Sequence, residues 1–523
     1  MTRIDAATIA PHLPATLGAD TPGYAFALIT GDDVQMQCQG MASVEHQVPI
    51  TPDTAFRIAS VTKEFLALIA QILYEKGDFD LHAPLSKYLP ELSGVQGDVT
   101  PDQALRNRSG IRDHLELGLM AGGGLDQPVT AEQSLDMILR QNETNFAPGS
   151  DFLYSNANFL LVTRAVERAT ARDLGALMKE YLFIPNGMTA THYAPAHKDV
   201  IPNLAGNYID QGDHFERAIF ATELNGDGAI ICTLSDLVRW YAYLRADPDG
   251  LVAQISRVTP FTNGVIGHYA MGFFNRPYLG QPTRGHNGLW PGYRTDLVMF
   301  DALDTGAICV ANVNTADTTM ITRKVMQSLY PGDLPVPDAT PDADLLDMLK
   351  EDRTYLNSDT LESARLTPGD DGLEVEMGGW SATHKITGPA QVAFTLPGDY
   401  THLDWSDVAQ GHITLTRING DTLTLQKLPD APTDMPADFP GTYTCASLPA
   451  TLTIDAGGQA ILRGHFAHGT AWKMTLLKDD VCLIENKGGP WPRQLTIRKD
   501  NDGGRLTMSG GRAKRMEFLR MDG

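Results

Sequence analysis

The sequence predicts an α/β domain of sheet and helices followed by two small antiparallel β-barrels. Residues 23–313 mix strand-like segments of alternating polarity with longer segments of helical periodicity. The composition changes at residues 330–344, which are rich in Pro and Asp and have no apolar period. Short β-type runs separated by turns follow, a pattern typical of small all-β modules. A chain of 523 residues has room for all three units.

The first predicted elements are a β-hairpin and a long helix. In residues 23–49, the segments GYAFALIT and DDVQMQCQG flank a turn at residues 31–33, and their alternation suits half-buried strands. From residue 60 to residue 76, apolar side chains recur at helical spacing, and Gly77 supplies a stop signal. We therefore expect a helix that begins at Ser60.

A second helix and a pair of strands complete the predicted α/β domain. The helix is expected over residues 157–171, directly after the tripeptide YSN. The glycines at 122–124 lack the rest of a phosphate-binding motif, so they predict a flexible loop. Around residues 285–313, GHNGLWPGYRTDLVMF and TGAICVANVN predict two adjacent strands, the first beginning near His286.

Two linkers set the expected domain boundaries. The stretch 330–344 separates an α/β domain, residues 1–334, from a barrel at residues 345–427. A second Pro-rich stretch, 428–441, precedes another barrel at residues 436–523. Each barrel contains a late pair of strands around an Asn/Asp-Gly turn, so the two resemble a degenerate duplication.

Charge and cysteine usage exclude several classes of protein. The net charge of −23 argues against a nucleic-acid partner, which would require a basic face. The five scattered cysteines form no CxxC pair, so neither a metal site nor a disulfide framework is predicted. The N-terminus has no apolar core of the signal-peptide type, and no segment approaches about 18 uninterrupted apolar residues. We therefore expect a cytoplasmic protein without a membrane partner.

Ser60 and Lys63 form the first candidate catalytic pair, in the segment FRIASVTK. A spacing of three at the start of a helix places both side chains on one face, about one turn apart. A serine hydroxyl is a weak nucleophile, and a neighbouring amine accepts its proton only when that amine is uncharged. Burial lowers a lysine pKa in the required direction. The alternative is a serine that caps the helix and a solvated lysine.

Two further segments carry polar groups suited to the same chemistry. In Tyr154-Ser155-Asn156, the phenol and the amide precede a helix and can project into a cleft, where a tyrosine shuttles protons. A core tyrosine is the alternative. His286 and Gly288 stand at the start of a predicted strand, where glycine lets a substrate backbone approach the edge. A structural histidine is the alternative there.

Taken together, SVTK, YSN and HNG resemble the three-box pattern of the penicillin-recognising, serine β-lactamase-like superfamily. The segments LRNRSGIRDH, FAPGSDFLYSNANF and NGDGAIICTLSDL are also similar to that family. The resemblance implies an antiparallel sheet flanked by helices and an acyl-enzyme on Ser60, with Lys63 as its base. The other implied roles are proton relay by Tyr154, completion of the proton network by His286, amide binding by Asn156, close backbone approach at Gly288, and an oxyanion hole from the N–H groups of Ser60 and Leu289.

Within the superfamily, the chain looks most like bacterial D-stereospecific aminopeptidases, which release N-terminal D-residues from peptides, amides and esters. His286 replaces the lysine that binds substrate carboxylates elsewhere in the superfamily, so neutral amides or esters are favoured. The resemblance further implies a homodimer and an acidic residue, on a loop of the last barrel, that selects a free amino group. The corresponding region, 485–492, offers only Glu485.

Two other functions remain open from sequence. The same scaffold is compatible with a carboxylesterase or with a D,D-peptidase or β-lactamase relative. A non-enzymatic alternative uses the fold as a ligand receptor and the barrels as binding modules. None of the hydrolytic functions requires a metal or an organic cofactor.

Overall fold

The computed structural model describes residues 4–521 except for a set of short gaps. The gaps are positions 197, 248, 336–338, 352, 371, 395–399, 431, 433–434, 465–469, 487–492 and 501–502.

A five-stranded antiparallel sheet, here called the core sheet, lies at the centre of the N-terminal part of the protein. In spatial order its strands are Arg284–Trp290, Tyr293–Phe300, Thr305–Ala311, Tyr24–Thr30 and Asp33–Gln39. The predicted N-terminal hairpin is therefore confirmed, and Phe26 of its first strand pairs with Cys309 of the central strand Thr305–Ala311.

The segment predicted as two strands between residues 285 and 313 contains three. The prediction was wrong because GHNGLWPGYRTDLVMF turns back on itself at Pro291-Gly292, where Gly292 has a φ of 74° that favours glycine. Arg284–Trp290 and Tyr293–Phe300 thus form a hairpin of their own. This hairpin makes Arg284–Trp290, the strand with His286, an edge of the core sheet.

The helix predicted from residue 60 is present, with a 3-10 turn at its start. Ala59–Val61 forms the turn, Thr62–Lys76 forms the helix, and Gly77 ends it in the left-handed conformation. This helix, the nucleophile helix, is buried along almost its whole length because apolar residues occur on all its faces. The second predicted helix spans Asn156–Thr170.

Further helices and small sheets enclose the core sheet. The other α-helices of this part are Ala6–Ile9, Gly94–Asp98, Pro101–Leu105, His114–Met120, Ala131–Leu139, Leu174–Met178, Leu234–Ala246, Leu251–Ser256 and Thr318–Leu329. Short strands are Ala55–Arg57 with Ile230–Thr233 and His192–Tyr193, Met41–Ser43 with Val48–Pro49, and Tyr208–Asp210 with Phe215–Arg217. Among the helices of the described residues, none has the length and apolar character needed to cross a bilayer.

The middle β module is a nine-stranded antiparallel sheet that is nearly closed. In spatial order its strands are Trp380–His384, Gly372–Met377, Ser363–Gly369, Thr354–Leu356, Thr422–Lys427, His412–Arg417, Tyr400–Asp404, Gln391–Ala393 and Ile386–Gly388. Its two edge strands are consecutive in sequence, joined through Lys385. A helix at Ala343–Met348, capped by Asp342, precedes the sheet; the sequence analysis had assigned this stretch to linker and strand.

The C-terminal module is a closed eight-stranded antiparallel barrel, here called the C-terminal barrel. Its strands are Gly441–Cys445, Ala450–Ile454, Gln459–Gly464, Thr470–Lys478, Val481–Asn486, Arg493–Lys499, Arg505–Ser509 and Met516–Arg520. Leu117 and Met120 of the helix His114–Met120 belong to the same apolar cluster as Leu462 and Trp472 of the barrel. Because this cluster is continuous, the barrel is held firmly against the α/β part.

Candidate active site

Ser60 lies on the 3-10 turn between the short strand Ala55–Arg57 and the nucleophile helix. The preceding residue, Ala59, has a φ of 47°, an unfavourable conformation for a residue with a Cβ that persists only where surrounding contacts impose it. The edge strand Arg284–Trp290 supplies such contacts: a Cβ added to Gly288 would lie 2.1 Å from the carbonyl oxygen of Ile58. Glycine at 288 therefore allows the strand to pack directly against the turn that carries Ser60.

Lys63 is completely buried, and its ammonium nitrogen is surrounded by oxygen atoms. Nζ lies 3.0 Å from Ser60 Oγ, 2.9 Å from Asn156 Oδ1 and 2.6 Å from the carbonyl oxygen of Asp227. The spacing of three residues thus places the amine within hydrogen-bond distance of the hydroxyl. The alternative of a capping serine with a solvated lysine is wrong, since the helix has no side-chain cap and Lys63 has no exposed surface.

Burial lowers the pKa of Lys63 to about 7. The negative charges of Asp227 and Asp113 oppose this change, and the positive charge of Arg512 adds to it. A large fraction of Lys63 is therefore uncharged at neutral pH, and an uncharged amine can accept the proton of Ser60.

Asn156 and Asp113 hold Lys63 in position. The backbone N–H and the Nδ2 group of Asn156 both donate to Asp113 Oδ2, at 2.5 and 2.9 Å. This fixes the amide so that its Oδ1 faces Lys63. The other carboxylate oxygen of Asp113 caps the helix His114–Met120 by accepting from the N–H groups of Leu115 and Glu116. Amide binding by Asn156 stays a prediction, because both ends of its side chain already have protein partners.

Tyr154 lies beside the nucleophile and is partly exposed. Its hydroxyl is hydrogen-bonded with Ser60, and its ring centroid is 5.0 Å from Lys63 Nζ. Burial raises the pKa of the phenol, and the hydrogen bond with Ser60 and the charge of Arg512 reduce that rise. The phenol therefore stays protonated at neutral pH and can donate a proton.

His286 is 2% exposed and lies in an aromatic environment. Its Nδ1 is 2.6 Å from the carbonyl oxygen of Asn287 and its Nε2 is 3.2 Å from the hydroxyl of Tyr269. Because a carbonyl can only accept, Nδ1 carries the proton and Nε2 accepts from Tyr269. Burial, with the nearby charge of Lys63, lowers the pKa of His286 to about 3, so the ring is neutral. Its ring centroid is 6.0 Å from that of Tyr154.

The structure brings most of the predicted site residues together. Ser60, Lys63, Tyr154 and Asn156 form one hydrogen-bonded cluster. Gly288 packs against the turn of Ser60, and Leu289 is the next residue of the same strand. His286 lies next to the cluster, but its ring nitrogens bond to Tyr269 and Asn287, so its part in the proton network stays a prediction.

The C-terminal barrel reaches this site through the loop that joins its last two strands, residues 510–515. The backbone oxygen of Arg512 accepts from the N–H of Asp113 at 3.2 Å and from Asn145 Nδ2 at 3.0 Å. The Arg512 guanidinium lies 4.8 Å from the centroid of the Tyr154 ring. Arg512 was not predicted from the sequence, because no local pattern marks it.

Glu485, the acidic residue offered by the predicted recognition loop, lies on a strand of the barrel. It belongs to the strand Val481–Asn486 and accepts a hydrogen bond from Gln494 Nε2 at 2.9 Å. Residues 487–492 of the predicted loop lie outside the described residues. Among the barrel residues that the structure describes, Arg512 is a cation in contact with the candidate site.

The antiparallel core sheet, its flanking helices and a Ser-x-x-Lys pair at the start of a buried helix define the fold of the serine β-lactamases and their relatives. The Beta-lactamase family model matches residues 12–327, and the chain belongs to this family.

Curated relatives support an enzymatic, hydrolytic protein. The D-aminopeptidase of Gluconobacter oxydans (strain 621H) is 24% identical over 541 residues, covering 97% of this chain and 95% of that protein. Other curated relatives with this name match only about half of their own length, at 28% identity over 52% of each chain. The prediction of a hydrolase is confirmed by the family and these relatives, and the non-enzymatic alternative is not supported.

Solved structures confirm the predicted fold. The D-amino acid amidase from Ochrobactrum anthropi SV3, complexed with D-phenylalanine, superposes with a TM-score of 0.53 at 21% identity, covering 62% of this chain and 98% of that one. The octameric penicillin-binding protein homologue from Pyrococcus abyssi gives a TM-score of 0.53 at 16% identity and covers 98% of both chains.

Proposed function

We propose that this protein is a serine hydrolase that releases N-terminal D-amino acids from amides, esters and short peptides through an acyl-enzyme on Ser60. The observation that carries the hydrolytic part is the contact of the buried Lys63 Nζ, 3.0 Å from Ser60 Oγ, with its pKa lowered to about 7. The D-aminopeptidase and D-amino acid amidase relatives support the stereochemical part.

In the proposed acylation step, neutral Lys63 takes the proton of Ser60, and Oγ attacks the substrate carbonyl carbon. The N–H groups of Ser60 and Leu289 stabilise the oxyanion, a contribution of several kcal/mol when donors are pre-aimed. The carbon–nitrogen bond then breaks. The leaving amine takes up a proton from the Tyr154 hydroxyl, which Lys63 replenishes.

Deacylation repeats the proton transfers with water as the nucleophile. Water gives its proton to Lys63 and attacks the ester carbon, and Ser60 leaves with a proton returned by the same amine. The net reaction converts one amide and one water into a carboxylic acid and an amine. The neutral ring of His286 places no positive charge at the third box, in contrast to a lysine there.

A substrate panel tests the proposal. The purified protein should release p-nitroaniline from D-Ala-p-nitroanilide at least 100-fold faster than from the L-isomer, and Ser60→Ala should abolish the release. Short-chain p-nitrophenyl esters and a chromogenic cephalosporin probe the esterase and β-lactamase alternatives. Equal turnover of the two isomers would overturn the stereochemical claim, and preferred turnover of the ester or the cephalosporin would replace the proposed activity.

A further inference from the structure

The C-terminal barrel places a positive charge at the opening of the candidate site. Arg512 is half-buried and its guanidinium lies over the ring of Tyr154, whose hydroxyl is bonded with Ser60. No carboxylate is paired with this guanidinium among the residues that the structure describes. A cation–π contact leaves the N–H donors of an arginine free to bind an anion.

The backbone of the loop is fixed from both sides, so the position of Arg512 is set by the fold. Asn145 uses both ends of its amide on the loop, donating to the oxygen of Arg512 and accepting from the N–H of Lys514 at 2.9 Å. The Lys514 side chain is paired with Glu362 of the middle module. Arg515 donates to the backbone oxygen of Asn145 at 2.7 Å.

Asp113 and Asp227, whose charges act on Lys63, both accept hydrogen bonds from the protein. Asp113 accepts four N–H bonds, from Leu115, Glu116 and two groups of Asn156. Asp227 Oδ1 accepts from the N–H of Asn225 at 2.6 Å. Arg512 is therefore a charged group at this opening whose donors have no protein acceptor among the described residues.

We infer that Arg512 binds the carboxylate of the leaving group, so that the preferred substrates are dipeptides whose second residue has a free C-terminus. The inference rests on the proposed function, in which Tyr154 gives its proton to the leaving nitrogen. In a dipeptide, the carboxylate lies roughly 3–4 Å from that nitrogen, across one Cα. A guanidinium that covers the ring of Tyr154 lies beside the proposed proton donor to the leaving nitrogen, and its planar shape suits a carboxylate.

A matched pair of substrates isolates this contact. D-Ala-Gly and D-Ala-glycinamide differ at one group of the leaving amine, which is a carboxylate in the first and an uncharged carboxamide in the second. For the wild-type enzyme, kcat/KM should be roughly 10- to 100-fold higher for D-Ala-Gly, the range for a hydrogen-bonded pair of charged groups. Arg512→Gln should reduce this ratio to about 1, and Arg512→Lys should keep part of it because the charge remains.

Arg505→Gln is the matched control, since it removes one arginine from an exposed position of the same barrel, where Arg505 pairs with Glu517. It should retain the wild-type ratio. A second readout comes from the pH profile: because the charge of Arg512 lowers the pKa of Lys63, Arg512→Gln should move the acidic limb of kcat/KM to higher pH. A purely structural role would not change the substrate ratio.

A wild-type ratio of 1 or less, or an unchanged ratio in Arg512→Gln, would overturn the inference while leaving the proposed function intact. If the folded wild-type enzyme cleaves neither D-Ala-Gly nor D-Ala-glycinamide nor D-Ala-p-nitroanilide, the proposed function itself fails, and the inference fails with it.

Discussion

The candidate site has a buried half and an accessible half, and the two halves differ in which parts of the chain supply their residues. Lys63, Asn156 and His286 are 0%, 6% and 2% exposed and all belong to the α/β part. Ser60, Tyr154 and Arg512 are partly exposed, and one of them comes from the C-terminal barrel. Burial sets the protonation states of two members of the first group, Lys63 and His286. In the proposed function, the second group meets the substrate and so determines which molecules react.

The largest expected effect on activity comes from placing a permanent positive charge at residue 63, in the buried half of the site. Lys63→Arg keeps the positive charge, which a guanidinium does not lose at accessible pH. We expect kcat/KM for D-Ala-p-nitroanilide to fall at least 10³-fold, because no base remains for Ser60. This loss corresponds to an increase of about 4 kcal/mol in the activation free energy. Steady-state kinetics on folded protein measures this loss.

Lys76→Arg, at the exposed end of the same helix, is the control and should keep wild-type rates. If Lys63→Arg retained more than a tenth of the wild-type activity, the protonation state of residue 63 would not limit the reaction. The proposed difference in role between the buried half and the accessible half would then be contradicted.

A smaller effect, on stability, should come from replacing Glu64, the buried neighbour of Lys63, with glutamine. One of its oxygens accepts from Trp240 Nε1 at 2.7 Å, and burial raises the pKa of its carboxyl to about 8. The folded protein therefore retains this proton over a pH range in which the unfolded chain, with a pKa near 4.5, has lost it. As the pH rises from 4.5 through 8, the wild-type protein loses stability relative to Glu64→Gln.

Denaturant unfolding across this pH range measures the difference. Glu64→Gln should match the wild type below pH 4.5 and exceed its free energy of unfolding by on the order of 2–4 kcal/mol above pH 8. Glu75→Gln, at an exposed position of the same helix, should show no such pH-dependent gap. A gap of constant size at all pH values would mean that Glu64 ionises normally within the fold.

Local periodicity and motif spacing were sufficient to predict most of the fold and the nucleophile pair. The hairpin at Tyr24–Thr30 and the nucleophile helix follow from patterns a few residues long, whereas the convergence of YSN on Lys63 was implied by the family resemblance. The strand split at Pro291-Gly292 was missed because apolar residues continue on both sides of that turn.

The remaining parts of the site depend on contacts that leave no local signal. Asp227 contributes a backbone oxygen to Lys63, a group that every residue has. Asp113 acts through the position of Asn156, 43 residues away. Arg512 reaches the site only because the barrel docks on the α/β part, through a bond to Asn145 that spans 367 residues. Such long-range placement follows from the assembled fold.

The protonation state of Lys63 is the most direct test of whether this amine can activate Ser60 at neutral pH. Protein labelled with ¹³C at lysine Cε can be titrated by NMR, and the Lys63 signal is identified by its absence in Lys63→Met. We predict that this signal titrates with a midpoint near pH 7, whereas exposed lysines titrate near pH 10.4. A Lys63 signal that titrates together with the exposed lysines would contradict the claim that burial prepares this amine to activate Ser60.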